Sequence, residues 1–477
     1  MSVVQSQVSS SQDEIVLNSY EIEGAKIVWL KKGDQCFYKI QEPELAKWER
    51  DLVIRIINEA TRLYMSVDSQ MEYVTKRLQE HFKDPKDFER ATYWVKRIVG
   101  YGEINALLAD PNVEEIECRG PGYPLSVILR NSKHCIRYVT NIVLESEEKV
   151  RAVIERLATR SNKPVSLSRP YLEFSLPEGH RVAATISTEI SIPGSTFDIR
   201  KFPRKSHSIL DMIRLGVLDE LLAAYLWFVI EFKPFIMILG PTGSGKTSLM
   251  NALLDLVNPN WKILTIEDTP ELSLNAPIWV RFVARKSIDP SAEVTLFDLA
   301  RLALRYRPDL LVIGEVRGRE IEALVHAAAS GHGSITTFHG SRPSDVVVRV
   351  NALLDRDTAK LFLSTISMFV IMSQLPRKNE IKRKLTAIYE RHAESGKSRF
   401  LLTVRWKEKE GEYSIRDPRE LVKISSTVRS IIETHGLDEN EVIADIGERV
   451  RFLRKAIERK LSHDELLEEL RRFYGKR

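Results

Sequence analysis

A glycine-rich segment, GPTGSGKT at residues 240–247, constrains the fold of this chain more than any other feature. It matches the phosphate-loop pattern GxxxxGK(S/T) in full, follows the apolar run 235–239 and precedes the helical run 248–256. A chance match to a glycine-rich turn is disfavoured because the strand and the helix are both in place. The segment therefore predicts a strand–loop–helix unit that binds phosphate. The residues assigned to this unit are Gly240, Pro241, Thr242, Gly243, Ser244, Gly245, Lys246, Thr247 and Ser248.

The end of this segment supplies the groups that a bound nucleotide needs. Lys246 is expected between the β- and γ-phosphates, and the Thr247 hydroxyl is expected to ligate Mg²⁺. The glycines let backbone N–H groups converge on the phosphates, and the helix N-terminus adds a positive partial charge. ATP with Mg²⁺ is the predicted ligand, because no NKxD guanine-reading sequence follows the loop and a GTPase is thereby disfavoured.

Acidic residues follow two other apolar runs, where strands of a nucleotide-binding sheet should end. The run at 310–313 leads to Gly314 and Glu315, and another run leads to the acidic segment EDTPE at 267–271. Glu315 is predicted as the general base for the attacking water. Because Gly314 occupies the place where many such folds carry an Asp, we expect acids of the 267–271 segment to help hold Mg²⁺. The alternative for that segment is a helix cap or a solvated loop.

Two histidines, His332 and His339, lie seven residues apart around the predicted strand 334–338. No third His or Cys lies at ligand spacing, so we expect hydrogen bonding that senses the γ-phosphate; a purely structural role is the alternative. A P-loop ATPase also needs a cation against the charge of the transition state, often from a neighbouring subunit. The arginines between the acidic segment and Glu315 that could supply it are Arg281, Arg285, Arg301, Arg305 and Arg307.

Hydrophobic periodicity divides the rest of the chain into segments. Helical spacing prevails first, short β-like runs with Gly-Pro turns follow, and strand-like runs then alternate with helical ones, which predicts a parallel, helix-covered sheet. The predicted segments are a flexible polar lead (1–41), a helical region (42–100), an α+β domain (101–200), a linker (201–210), a P-loop domain (211–435) and C-terminal helices (436–477).

Composition excludes several classes of protein. The net charge of +5 is small for 477 residues, which disfavours bulk nucleic-acid binding. The three cysteines form no CxxC pair, so we expect neither a disulfide framework nor structural zinc, and a reducing compartment fits. The N-terminus does not match a secretory signal, and charged residues interrupt the most apolar window, 225–240, so we expect a soluble protein.

With these motifs in order, the chain resembles the type II/type IV secretion ATPase superfamily, the hexameric motors of type II secretion, type IV pili and archaella. GPTGSGKT resembles the Walker A motif of that family, TIEDTPEL its Asp box, LLVIGEVRG its atypical Walker B motif and SGHGSITTFH its His box. Upstream, GYGEINALLADPNVEEIECRGPG, SRPYLEFSLPEGHRVAATI and FDIRKFP resemble the N-terminal domain of its archaeal branch. The resemblance covers about residues 93–373, and the rest more loosely.

The resemblance implies an α/β fold with a C-terminal RecA-like P-loop ATPase domain and an N-terminal helical plus α+β, PAS-like domain. It also implies that Thr247, Glu271 and Glu315 bind Mg²⁺. Catalytic or nucleotide-contacting roles are implied for Lys246, the Asp-box acid Glu271, the Walker B glutamate Glu315, the His-box pair His332 and His339, and Arg181 and Arg200 of the N-terminal domain, with Arg169 as a weaker match. The tetracysteine zinc module of many bacterial relatives is missing from this sequence.

The predicted function is therefore an ATP-hydrolysing motor, a cytoplasmic homohexamer at the inner face of the membrane. Through a polytopic membrane platform protein it would drive assembly of a pilus-like or archaellum-like filament, or secretion. One alternative is a DNA-translocating or helicase-like ATPase, which the charge and the lack of a basic-aromatic stripe disfavour. Another is a non-catalytic nucleotide-sensing scaffold, which is disfavoured by the intact Lys246, Thr247, Glu271 and Glu315.

Overall fold

The computed structural model describes residues 14–475, apart from 64–65, 131, 133, 203–206, 286–289, 317, 319, 330, 378–379 and 395–396. The chain divides into two compact units, residues 1–204 and residues 205–477. Each unit contains a nine-stranded sheet with helices, so the predicted mixed α/β class is confirmed. Part of the predicted linker, residues 203–206, lies outside the described residues.

The first unit begins with an antiparallel meander, so a flexible lead over 1–41 is wrong for the described residues from 14 onward. The strands are β1 (Ile15–Ile22), β2 (Ala25–Lys32) and β3 (Gln35–Gln41). Both residues of the first turn, Glu23 and Gly24, have positive φ, as the type I′ form of a two-residue hairpin turn requires. Among the described residues, strand pairing begins at residue 15, and the polar composition of the sequence around it did not indicate these strands.

Three helices follow and pack on one another around a small apolar cluster. They are α1 (Lys47–Arg62), α2 (Val67–His81) and α3 (Pro85–Val99). Asp84 caps α3 by accepting hydrogen bonds from two backbone N–H groups, and Pro85 occupies its first position, where no N–H donor is needed. Val53, Val74 and Val95 contribute to the cluster, one from each helix.

The remaining strands of the first unit extend the same sheet. The elements are α4 (Asn105–Ala109), β4 (Val113–Cys118), β5 (Pro124–Leu129), β6 (Arg137–Val143), α5 (Glu147–Arg160), β7 (Tyr171–Ser175), β8 (Arg181–Thr185) and β9 (Thr196–Arg200). The strand order is β1-β2-β3-β6-β5-β4-β9-β8-β7, so the meander joins the sheet where β3 runs parallel to β6. Only Phe37 and Tyr38 of β3 are in register with β6.

A disulfide also joins the meander to the start of β6. Cys36 of β3 is bonded to Cys135, which precedes β6 by two residues, with 6.2 Å between the Cα atoms. The expectation of no disulfide framework is therefore wrong for this pair, while Cys118 is buried as a free thiol. Sequence spacing gave no signal, because the two cysteines are 99 residues apart and only the pairing of β3 with β6 brings them together.

The second unit contains the predicted parallel sheet. Its first elements are α6 (Ile209–Arg214), α7 (Glu220–Ile230), β10 (Phe235–Gly240), α8 (Lys246–Leu254), β11 (Ile263–Glu267), β12 (Trp279–Val283), α9 (Leu296–Leu304), β13 (Leu310–Val316), α10 (Glu320–Ala329), β14 (Gly333–His339), α11 (Pro343–Leu353), α12 (Arg356–Thr365) and β15 (Met368–Arg377). Strands β12-β11-β13-β14-β10-β15 lie in this order and are parallel. All residues of β10 are buried, which explains its unbroken apolar run.

The sheet continues in antiparallel strands through the region after residue 380, for which the sequence offered no motif. The remaining elements are β16 (Glu380–Glu394), β17 (Lys397–Lys407), β18 (Glu412–Tyr413), α13 (Pro418–Ile424), α14 (Ser426–His435), α15 (Glu439–Glu458) and α16 (His463–Tyr474). Strand β16 pairs with β15, and β17 with β16. Glu390 of β16 is fully buried, and its carboxylate accepts hydrogen bonds from the backbone N–H of Thr427 and the hydroxyl of Ser425 at the start of α14.

Helix α7 is buried on all sides, from Leu221 to Ile230, and the C-terminal helices cover it. Arg449 of α15 is fully buried and donates two hydrogen bonds to Glu231, at 2.9 and 2.8 Å, and two to Asp445, at 3.0 and 3.3 Å. Its guanidinium lies 4.7 Å from the centre of the Trp227 ring. The C-terminal helices therefore share the core of the second unit.

Candidate nucleotide site

The phosphate loop lies between the end of β10 and the start of α8. Gly243 and Gly245 have φ values of 75° and 90°, a left-handed conformation that glycine adopts without strain. A Cβ at Gly240 would collide with the carbonyl oxygen of Met372 and with Ser244 Oγ. Ser244 Oγ is itself buried and has no hydrogen-bond partner among the described residues. The loop is thus a tight backbone cradle that leaves no room for a side chain at Gly240.

Lys246 begins α8, and its ammonium group lies over the loop. Its Nζ donates to the carbonyl oxygens of Gly240 and Pro241, at 2.9 and 3.0 Å. Thr247 and Ser248 follow in the first helical turn and are half-buried. A lysine, two hydroxyl groups and glycines in left-handed conformations at a helix N-terminus form the donor set that fits a nucleotide phosphate with Mg²⁺.

The acidic and histidine motifs meet the loop at the carboxyl edge of the sheet. In register, Gly240 is the partner of His339, the exposed last residue of β14. Glu315 is half-buried in an irregularity of β13 between Ile313 and Val316, one strand farther from the loop. The structure therefore brings the phosphate loop, Glu315 and His339 to one edge. Glu271 is half-buried in the loop that follows β11, which is the next strand of the sheet after β13.

His332 does not join this group. It precedes the first residue of β14, so the strand separates it from His339 by about 23 Å at 3.3 Å per residue. It lies at the opposite edge, where it lines a cavity of about 550 Å³ with Lys233, Arg391 and Thr427. The expectation that the two histidines sense the γ-phosphate together is therefore wrong for His332, because an extended strand carries its two ends to opposite edges of the sheet.

Glu267, at the end of β11, is a buried carboxylate that the sequence did not single out from the acidic segment. Its carboxylate accepts hydrogen bonds from the backbone N–H groups of Glu271 and Leu272 and from Arg281. Burial raises the pKa of Glu267, while these hydrogen bonds oppose the shift. Both oxygens of Glu267 accept hydrogen bonds from the protein. Glu267 is therefore not the acid of this segment that would bind Mg²⁺.

The predicted arginine candidates of the second unit differ in their surroundings. Arg281 is bonded to Glu267 and to the carbonyl oxygen of Leu272. Arg285 donates twice to the carbonyl oxygen of Ala292, and the guanidinium of Arg301 lies 5.7 Å from the Phe297 ring centre. Arg305 is the C-terminal cap of α9, and Arg307 has a positive φ of 48°. Arg281 and Arg285 thus have partners within their own chain.

In the first unit, Arg181 and Arg200 are cross-strand partners. Arg181 begins β8, Arg200 ends β9, and the two are in register, with Glu115 of β4 as the next partner of Arg200. The Nε of Arg200 lies 3.8 Å from a carboxylate oxygen of Glu115. Two guanidinium groups directly opposite each other repel unless an anion lies nearby. Arg169 lies apart from them, with its guanidinium 4.9 Å from the centre of the Tyr171 ring.

In the part of the chain that the structure describes, no cluster of three or more His, Cys, Asp or Glu side chains is arranged to hold a metal ion. Within the same residues, none of the helices combines the length and the apolar character that crossing a bilayer requires.

Comparison with known proteins gives a family and several relatives. The sequence model of the family described as "Type II/IV secretion system protein" matches residues 103–472. An uncharacterized protein of Methanocaldococcus jannaschii is 29% identical over 360 residues, covering 73% of this chain and 63% of that protein. A second protein of that organism is 33% identical over 344 residues, covering 68% of this chain and 47% of its own length. The matches thus span less than two thirds of either relative.

Among solved structures, one similar chain is the VirB11 ATPase from the Brucella suis type IV secretion system, crystallised in complex with sulphate. It is 25% identical in sequence, and the match covers 59% of this chain and 94% of that chain, with a TM-score of 0.31.

Proposed function

We propose that this chain, which belongs to the type II/IV secretion system protein family, hydrolyses ATP and converts the free energy of hydrolysis into mechanical work. The observation that carries the proposal is the complete phosphate loop, with Glu315 and His339 on neighbouring strands at the same edge of the sheet. An acid at this edge can serve both as a ligand of Mg²⁺ and as the base that hydrolysis requires.

In this proposal each residue has a distinct task. The backbone of the phosphate loop and Lys246 hold the β- and γ-phosphates, and Glu315 accepts a proton from the attacking water. Thr247, Glu271 and Glu315 hold Mg²⁺, which when bound neutralises charge on the phosphates. His339, beside Gly240, donates a hydrogen bond that reports the presence of the γ-phosphate. Arg181 supplies positive charge against the transition state, and Arg200 contributes to nucleotide binding.

The finer parts of the proposal follow from family membership and from the resemblance of the motifs. The chain works as a homohexamer at the cytoplasmic face of the membrane, with ATP and Mg²⁺, and acts on a polytopic membrane platform protein. The work drives assembly of a type IV pilus-like or archaellum-like filament, or secretion. Nucleic acid and structural zinc have no part in it.

Two substitutions separate binding from hydrolysis. Lys246→Ala should lose nucleotide binding and turnover together. Glu315→Gln should still bind ATP but lower kcat by about 10²- to 10⁴-fold, because the amide cannot accept the proton of the attacking water while its oxygen can still ligate Mg²⁺. Binding is measured with a fluorescent ATP analogue, and turnover by phosphate release with Mg²⁺. Lys360→Ala, an exposed lysine on α12, is the matched control. Near-normal phosphate release from Glu315→Gln would overturn the assignment of the base.

The ring is tested with the same material. Specific activity should rise with protein concentration, light scattering with a non-hydrolysable ATP analogue should show about six subunits, and Arg181→Ala protein should inhibit the wild type when the two are mixed. Full specific activity in a strictly monomeric preparation contradicts the ring.

A further inference from the structure

The carboxylate of Glu267 holds the loop that contains the Asp-box acid Glu271. The Glu267 residue is only 2% exposed. One of its oxygens accepts hydrogen bonds from the backbone N–H groups of Glu271 and Leu272, at 2.6 and 2.7 Å. The other oxygen accepts from Nε of Arg281 at 3.3 Å. Both oxygens are therefore engaged with the protein itself.

The same loop is fixed by two further contacts. Arg281 lies on β12, in register with Thr265 of β11, and its second nitrogen donates to the carbonyl oxygen of Leu272 at 3.0 Å. On the other side, the side chain of Asn251 in the P-loop helix α8 accepts from the backbone N–H of Ser273 at 3.2 Å. The loop after β11 is thus tied to its own strand, to β12 and to α8.

Gly314 on the neighbouring strand β13 completes the arrangement. A Cβ at this position would lie 3.3 Å from Cγ of Glu267, closer than about nine in ten real Cβ contacts. The carbonyl oxygen of Gly314 accepts a hydrogen bond from the Thr337 hydroxyl at 2.7 Å, which fixes the backbone there. A larger residue directly before Glu315 would therefore displace the Glu267 side chain by a few tenths of an ångström.

Burying a carboxylate costs free energy unless hydrogen bonds compensate for the loss of water. The hydrogen bonds that compensate at Glu267 are those that hold the loop, which suggests that holding the loop is its role. We propose that Glu267 is a positioning residue that fixes the backbone of Glu271 and acts on ATP hydrolysis only through Glu271. This inference rests on the proposed function, in which Glu271 is an acid of the Mg²⁺–ATP site.

Kinetics of the full-length chain test the proposal. Glu267→Ala should lower kcat by about 10- to 100-fold, the usual effect of losing a partner that orients a metal-site residue, and should change the KM for ATP by less than about threefold. Glu267→Gln should recover part of kcat, because its amide oxygen can still accept from the two backbone N–H groups. The matched control is Glu390→Gln, a fully buried carboxylate that also accepts from a backbone N–H but lies on β16; it should leave kcat unchanged.

A double-mutant cycle identifies the route of the effect. If Glu267 acts through Glu271, adding Glu267→Ala to Glu271→Gln should lower kcat no further. An additive loss, an unchanged kcat in folded Glu267→Ala, or a loss of ATP affinity equal to the loss of kcat would each overturn the proposal.

Hydrogen exchange separates failure of this inference from failure of the proposed function. In Glu267→Ala, the amides of residues 268–274 should exchange at least about tenfold faster than in the wild type, since two of them lose their acceptor; in Glu390→Gln they should not. If the wild-type protein does not hydrolyse ATP, the proposed function is wrong. If hydrogen exchange is unchanged in Glu267→Ala, the positioning role is wrong, regardless of the ATPase activity of that variant.

Discussion

The disulfide between Cys36 and Cys135 allows a quantitative prediction for the first unit. It closes a loop of 99 residues, and the strands on either side of it share only two residue pairs in register. In the chain-entropy treatment a loop of this length stabilises the folded state by about 4.7 kcal/mol at 25 °C, while measured disulfides usually contribute about 2–4 kcal/mol. We therefore expect the Cys36→Ser, Cys135→Ser variant to lower the unfolding free energy of this unit by about 2–5 kcal/mol.

The assay combines a thiol count with urea unfolding of the full-length chain. Without reductant, denatured wild-type protein should show one reactive thiol, from Cys118, out of the three cysteines of the sequence. Dithiothreitol should shift the unfolding of the first unit to lower urea in the wild type and leave the double variant unchanged. Exchange of the β2 and β3 amides reports this unit separately from the second unit, whose transition should not move.

Two results would refute this reasoning. Three reactive thiols in freshly purified, unreduced protein would mean that the pair is not bonded. A disulfide that is present by thiol count, but whose reduction leaves the unfolding of the first unit unchanged, would mean that the pairing of β3 with β6 is fixed by other contacts.

Further predictions concern the C-terminal helices. Arg449→Ala should lower the unfolding free energy of the second unit by about 3–5 kcal/mol, because it leaves the carboxylates of Glu231 and Asp445 without their buried partner; urea unfolding followed by tryptophan fluorescence measures it, and wild-type stability would contradict it. His463 has its Nε2 3.0 Å from the carboxylate of Asp255, and this contact raises the pKa of the imidazole. The stability that the charged imidazole adds should be complete below about pH 6.5 and should disappear as pH rises through the raised pKa. Unfolding free energies between pH 6 and pH 9 should show this loss for the wild type relative to His463→Gln, and parallel curves would exclude it.

The parts of the fold that could be predicted from sequence are those with a local cause. The segment at 240–247 specifies its own strand, turn and helix, because glycine, lysine and threonine at these spacings fit one backbone path. The parallel sheet was also predictable, since strands buried on both faces carry unbroken apolar runs. The family followed from the order of the motifs, and its sequence model matches residues 103–472.

The parts that could not be predicted depend on contacts between distant segments. Nothing near Cys36 indicates Cys135, because only the pairing of β3 with β6 brings them together. The separation of His332 from His339 requires knowledge that the intervening residues are fully extended. Glu267 was one acid among several until its burial and the space beside Gly314 distinguished it. The roles of Glu271, Glu315 and Arg181 remain predictions that the kinetic experiments address.

The burial of α7 has a consequence for the order of events during synthesis. Its apolar surface is covered by α15, which the ribosome makes about 220 residues later, a delay of roughly 10–45 s at 5–20 residues per second. Through that interval the helix between Leu221 and Ile230 lacks its cover in the nascent chain. The first unit can fold while the rest is being made, whereas the second unit must wait for nearly the last residue, so slow or interrupted translation exposes the second unit to aggregation.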